Sequence, residues 1–171
     1  MERIIINEEN LKENQIDKIN IKVRALLVLK KQLLICNYGG GVVMLPGGKT
    51  DKGETNLQGL IRELHEETGI LYSENELNEL FLLEYFQPNY PTRENTVLNR
   101  LSKTYFYYGT LKGIDNVNKQ MTEKEKKDNF SLELIDIEEI SKHLCDKSNP
   151  RSGFFDREIT EAVKVYKKLL K

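Results

Sequence analysis

Gly48-Lys-Thr-Asp-Lys-Gly-Glu54-Thr-Asn-Leu-Gln-Gly-Leu-Ile-Arg62-Glu63-Leu64-His65-Glu66-Glu67-Thr68-Gly69-Ile70 is the stretch on which the reading of this chain turns. It opens as a glycine-bearing loop, Gly47 to Gly53, and continues as a helix with both ends marked. Thr55-Asn56-Leu57-Gln58 has the form of a capping box, in which the threonine hydroxyl and the glutamine side chain satisfy free backbone amides. Gly69 suits the left-handed residue that closes a helix. Leu57, Leu60, Ile61, Leu64 and Thr68 recur at helical spacing and predict the buried face. Gly59 costs the helix roughly 1 kcal/mol against alanine, which predicts a close approach to a neighbouring strand.

The same helix carries Glu63, Glu66 and Glu67 at i, i+3 and i+4. At ~100° per residue their carboxylates fall within one arc, expected to lie clear of the apolar stripe. Like charges at that spacing repel, and a hard divalent cation such as Mg²⁺, which prefers oxygen ligands, would offset the repulsion. Arg62, four residues before Glu66, carries a planar fork that can orient a carboxylate. An acidic run alone is commonly just a solvated face, so the surrounding residues decide.

Gly48, five residues, Glu54, seven residues, Arg62-Glu63-Leu64, His65, Glu66-Glu67, Thr68 and Gly69-Ile70 resemble the Nudix box, G-x5-E-x7-R-E-U-x-E-E-x-G-U with U aliphatic, at every defined position. Leu45-Pro46-Gly47 resembles the usual entry into that loop. The resemblance implies that Glu63 and Glu67 are metal ligands, with Glu66 a ligand or the holder of the attacking water. It implies that the Gly47 carbonyl is the loop's oxygen ligand, and that Arg62 and Glu54 pair to fix loop against helix. His65 falls at a variable position and is expected at the surface. Family members differ in the general base, and Glu123 and Glu125, ahead of Phe130, stand where a distal base would lie. The implied activity is Mg²⁺-dependent hydrolysis of a diphosphate linkage in a nucleoside-diphosphate-linked substrate, with Mn²⁺ a candidate substitute. A pyrophosphate repels hydroxide, so metal must neutralise it and lower the pKa of bound water.

Outward from this stretch, Ile21 to Leu29 and Gln32 to Asn37 read as a hairpin around Lys30-Lys31, and Val42 to Leu45 as a short strand. Leu80 to Phe86, Lys103 to Leu111 and Phe130 to Ile135 read as strands, and Ile137 to Leu144 as a short helix. Gln87 to Arg100 and Lys112 to Asn129 read as long polar connections. The last helix, from about residue 156 to 171, is expected to bury Ile159, Ala162, Val163, Tyr166 and Leu170. The order predicts an α/β (α+β) fold, a mixed sheet flanked by helices in a single domain over 1–171, with a short extension at 1–20.

Composition narrows the partners. In 171 residues, 39% are apolar and 31% charged, as in ordinary globular proteins, and the formal net charge of −1 offers no field for a nucleic-acid backbone. The N-terminal apolar run, Ile4 to Ile6, is too short for a signal peptide, and no run is long enough to cross a bilayer. Cys36 and Cys145 lack metal-ligand spacing and read as free thiols of a reducing cytoplasm. The expected partner is a small nucleotide-type molecule, with a homodimer plausible by resemblance. Its class is left open: Tyr85, Phe86, Tyr90, Tyr105 and Tyr107 are candidates to stack on a base, and Arg93 and Arg100 to meet phosphates. Tyr90, Arg93 and Arg100 are the candidate substrate contacts. Two other readings share the fold: an allylic-diphosphate isomerase, for which Cys36 would be the nucleophile, and a non-catalytic nucleotide-binding regulator. The intact box argues against both.

Overall fold

The alternation that runs through residues 18 to 28 sets the architecture, because it gives one long strand two different faces. In the computed structural model, which describes residues 1–92, 94–113, 129–144 and 150–171, this strand is β2 (Lys18–Leu29). Around it lie β1 (Glu2–Ile6), β3 (Gln32–Tyr38), β4 (Val42–Met44), β5 (Leu77–Pro91), β6 (Val97–Thr110) and β7 (Ser131–Asp136). They form one mixed sheet in the order β1-β5-β6-β2-β3-β4, with β7 on the other side of β3. β1 runs parallel to β5 and β2 parallel to β6, and the remaining pairs are antiparallel.

Helices cover both faces. α1 (Asn56–Thr68) packs Leu60 and Leu64 against Val23, Ala25 and Leu27 of β2 and Tyr107 of β6. On the opposite face α3 (Ser152–Leu169) packs Ile159, Ala162 and Val163 against Leu26, Phe81, Leu83 and Phe106. The stacked rings of Phe81 and Phe106, 4.7 Å between centroids, sit inside that second core. α2 (Ile140–His143) buries Ile140 in it as well. This is a three-layer single domain, as the order of elements predicts.

Several expectations are corrected. Residues 2–6, read as part of an extension, add an edge strand to β5; Ile6 enters the core and Ile4 packs against it. β2 begins at Lys18, and α3 at Ser152 rather than near Asp156. Leu170 ends at the surface, 70% exposed, because α3 stops at Leu169. The stretch Gln87 to Arg100 is a hairpin rather than a loop: β5 runs on to Pro91, β6 starts at Val97, and Thr92 N–H donates to the Thr96 carbonyl at 2.8 Å. Pro88 and Asn89 misled the reading, since they sit in a bulge between Gln87 and Tyr90, where a missing donor and the positive φ of 47° at Asn89 are tolerated. The close neighbour of Gly59 is not a strand. A Cβ there would lie 2.8 Å from Thr50 Cγ2 and 3.0 Å from a Glu54 carboxylate oxygen, so the loop ahead of the helix takes that space.

Candidate active site

The loop from Leu45 to Gly48 is tied to β2 as if it were a further strand. Ala25 N–H donates to the Pro46 carbonyl and Val23 N–H to the Gly48 carbonyl, each at 2.9 Å. Gly47 has φ +124°, and a Cβ on it would run into the Val23 carbonyl oxygen, so only glycine lets the loop lie this close. At Gly48 the missing Cβ serves a side chain instead. The space is filled by the Glu63 carboxylate, which α1 delivers against the loop.

α1 is held in register by the cap the sequence predicts: Thr55 accepts from Gln58 N–H at 3.2 Å, and Gln58 Oε1 accepts from Thr55 N–H at 3.0 Å. Gly69 closes it at φ 75°. Arg62 then fastens helix to loop. Its Nε and Nη2 donate to the two oxygens of Glu54 at 2.8 and 3.1 Å, and Nη2 also donates to the Lys49 carbonyl at 3.0 Å. Nη1 reaches Glu63 at 3.1 Å and, more weakly, Glu66 at 3.4 Å. The guanidinium hydrogen bond, helped by Asp51 N–H, holds the Glu54 carboxyl down at about 2, and the same contacts raise Arg62 above its ordinary value.

Glu67 does not lie clear of the apolar stripe. It sits seven residues after Leu60 and three after Leu64, which places it on the buried face, and it is 2% exposed. It accepts from Gly47 N–H at 2.7 Å and from the Tyr38 hydroxyl at 3.1 Å. Burial nevertheless pushes its carboxyl up to about 8, and burial also raises Glu63. Arg24 of β2 sits beside these acids, its Nη1 donating to the carbonyls of Leu45, at 2.9 Å, and Gly47.

Among the described residues no three acidic, histidine or cysteine side chains converge as a metal cage; Arg62 engages Glu63, Gly47 N–H and Tyr38 engage Glu67, and Arg24 donates to the Gly47 carbonyl. The donor set still suits a hard divalent cation. Glu63, Glu67 and Gly47 face one cavity, all donors are oxygen, and the notch at Gly48 admits the Glu63 carboxylate to the loop.

That cavity, about 980 Å³, runs from the acids across the face of β2 to the β5–β6 hairpin. Lys18, Asn20, Lys22 and Arg24 line it from alternate positions of β2. Tyr90 and Arg100 line it from the hairpin, Arg151 and Phe155 from the start of α3. Arg100 stacks on Tyr90 with its Cζ 3.4 Å from the ring centre. Lys22 is 4% exposed, bound to both oxygens of Glu158 at 2.8 and 2.9 Å, and burial lowers its ammonium to about 8. Of the five aromatic candidates only Tyr90 reaches the cavity; Tyr107 is core, Tyr105 packs against it, and Tyr85 packs on Phe154 at 5.9 Å. Cys36 is buried and does not line the cavity, against the isomerase reading. Arg93, Glu123, Glu125 and Cys145 lie outside the described residues.

Lys22, Arg24, Tyr38, Gln87, Arg151 and Phe155 escaped the sequence reading. One signal for the first two exists: polar residues alternate at 18, 20, 22 and 24 with apolar ones between them, which gives the strand two faces, but polarity alone does not say which face is covered. In fact Ile19 and Ile21 are 58% and 47% exposed while Lys22 and Arg24 are buried.

Comparison with known proteins bears on the same region. The "8-oxo-dGTP diphosphatase" of Haemophilus influenzae is 58% identical over 40 residues, 23% of this chain and 29% of that protein's length. The chain thus matches well under half of that relative. A NUDIX hydrolase from Nitrosomonas europaea has the same fold, with a TM-score of 0.61 at 16% identity over 87% of this chain and 88% of its own. The NUDIX domain of Shewanella oneidensis NrtR, solved with ADP ribose, superposes at a TM-score of 0.58 with 14% identity over 95% of both chains. Among the described residues no helix is long and apolar enough to cross a membrane. The NUDIX domain model matches residues 19–157, so it takes in the sheet, apart from β1, and the start of α3 as well as the loop and helix, and on that extent the chain belongs to the Nudix family.

Proposed function

We propose that this protein hydrolyses a diphosphate linkage in a nucleoside-diphosphate-linked substrate, using Mg²⁺ with Mn²⁺ as a substitute. The observation that carries the reading is the junction of α1 and its loop: Glu63 in the notch of Gly48, Glu67 on Gly47 N–H, both opening on a cavity walled by Lys22, Arg24 and Arg100. Glu63, Glu67 and the Gly47 carbonyl would hold the cation, with Glu66 as a further ligand or as the holder of water. When bound, such a cation would neutralise the diphosphate and lower the pKa of bound water.

The remaining work falls to the chain. Among the described residues Glu66 has only the long 3.4 and 3.5 Å contacts to Arg62, which leaves lone pairs to hold a water and accept its proton. Glu123 and Glu125 are the alternative acceptors. Arg62 and Glu54 position rather than react, since their bonds run between loop and helix. Water adds to one phosphorus, the other phosphate leaves, and positioning with electrostatics supplies most of the rate. Tyr90 and Arg100 meet the nucleoside end, and Arg93 is a further candidate there. The substrate classes to test are nucleoside triphosphates, ADP-ribose with nucleotide sugars, and dinucleoside polyphosphates. The "8-oxo-dGTP diphosphatase" relative and the ADP-ribose bound to the NrtR domain favour including the first two.

The test is phosphate-coupled turnover across these classes with Mg²⁺ and Mn²⁺, using Glu67→Gln as control. Turnover should require metal and should fall about 100-fold or more in the control, since disturbing groups that merely orient metal ligands already costs 10–100-fold. A folded Glu67→Gln protein within a few-fold of wild type would overturn the mechanism.

A further inference from the structure

Against the wall at the hairpin end of the cavity lie two buried hydrogen-bond donors that no described residue meets. Gln87 and Arg100 are cross-strand partners on β5 and β6, and Arg100 Nε donates to Gln87 Oε1 at 2.6 Å. That bond fixes the amide: its oxygen is taken by the guanidinium, so its remaining hydrogen-bonding group is the NH₂. Gln87 is fully buried and Arg100 only 8% exposed, yet Gln87 Nε2 and Arg100 Nη2 have no acceptor among the described residues. A buried donor without a partner costs about 1–3 kcal/mol, and folded proteins keep few of them. Two, on bonded side chains of which one lines the cavity, define a place where an acceptor belongs.

The chemistry of the missing partner follows from the donors. An edge with two neighbouring acceptors satisfies both groups. An edge that sets an N–H beside an acceptor satisfies one and turns a donor onto the other. The O6/N7 edge of a 6-oxopurine is of the first kind, and an arginine on it is a common guanine contact; adenine sets its N6 amino group beside N7 and is of the second. A phosphate would also supply acceptors, and Lys18 and Lys22 of β2 line the same region, but Tyr90, Pro91, Leu98 and Phe155 add apolar and aromatic surface on which a flat base lies and which a hydrated anion does not use. We propose that Gln87 and Arg100 form the specificity pair of this cavity and select a 6-oxopurine nucleotide over an adenine nucleotide. The proposal rests on the nucleotide-hydrolase reading above and names the base that reading leaves open.

Calorimetric titration of GMP, IMP and AMP into the full chain with Mg²⁺ tests it without turnover. GMP and IMP should bind roughly ten-fold more tightly than AMP, and alike, because the edge in question does not include the 2-amino group. Gln87→Glu keeps the size and the acceptor for Arg100 Nε but removes the NH₂, and it should bring the GMP-to-AMP ratio close to one. Arg100→Lys, which loses the fork, should do the same. AMP binding as tightly as GMP to the wild type, or IMP behaving like AMP, would overturn the pair as a base reader. So would a folded Gln87→Glu protein with its preference intact; an ordered water would then be what satisfies the donors. Metal-dependent hydrolysis without a base preference defeats this proposal alone, whereas absence of metal-dependent hydrolysis of any nucleotide defeats the function on which it rests.

Discussion

At the acid end of the cavity, side chains are fixed by neighbours in sequence: Arg62 grips Glu54 eight residues back and Lys49 thirteen back, and Glu67 reaches Gly47 twenty back. At the hairpin end, contacts come from across the chain. Lys22 pairs with Glu158 at a separation of 136, Ser102 approaches Glu158 at 56, and Tyr90 packs on Phe154 at 5.1 Å. The acid end is rich in oxygen acceptors, as the proposed cation would need, and the hairpin end in donors, as the proposed base would need. Chemistry that every substrate shares can thus be carried by a compact loop and helix. On the proposed function, selection among substrates falls to an assembly drawn from distant parts of the chain.

The sharpest way to break this contrast is Gly48→Ala. A Cβ there would displace the Glu63 carboxylate, the far end of a flexible side chain, and not backbone. Turnover should fall about 100-fold or more, as for loss of a metal ligand, while the midpoint of thermal unfolding changes little. A large loss of stability with activity per folded molecule retained would mean that Glu63 is packing rather than machinery.

Arg62→Lys should have a smaller effect, roughly 10–100-fold in turnover. Lysine keeps a charge but cannot reproduce a planar fork that serves Glu54, Lys49 and Glu63 at once. Because the residue positions ligands, the apparent metal requirement should shift to higher Mg²⁺ concentration, and saturating metal should restore part of the rate. A loss of rate unmoved by metal concentration would place Arg62 on the substrate instead.

The difference in locality also explains what was legible. The helix bounds at Thr55 and Gly69 and most of the succession of strands and helices follow from contiguous residues and from periodicity, and the Arg62–Glu54 pairing from the resemblance to the Nudix box. The burial of Glu67 was legible too, since it continues the spacing of Leu60 and Leu64, but its charge argued for solvent. For Lys22 and Arg24 the alternation was visible, while its direction depends on α3 and the hairpin closing over them. Nothing near Gln87 in the sequence announces Arg100, and a bulge containing Pro88 disguised the strand that pairs them. Identity along an element can be read locally, but which side faces the ligand is a tertiary fact.

The smallest effect concerns stability at the hairpin end. Lys22 is held below its ordinary 10.5, at about 8, because desolvation outweighs the attraction of Glu158. Between those two values the unfolded chain binds a proton that the folded chain has released, so unfolding free energy should rise with pH by up to about 1.4 kcal/mol per unit. The contribution is fully present above the unfolded value and is lost as pH falls through about 8. Replacing the pair together, Lys22→Met with Glu158→Leu, removes the titrating group without leaving either charge buried alone, and such replacements are often neutral or stabilising near neutral pH. Urea unfolding at several pH values from 7.5 to 9.5 should therefore show the wild type gaining on the double variant as pH rises. Parallel profiles would mean that water reaches Lys22, and that the polar layer under α3 is wetter than its 4% exposure indicates.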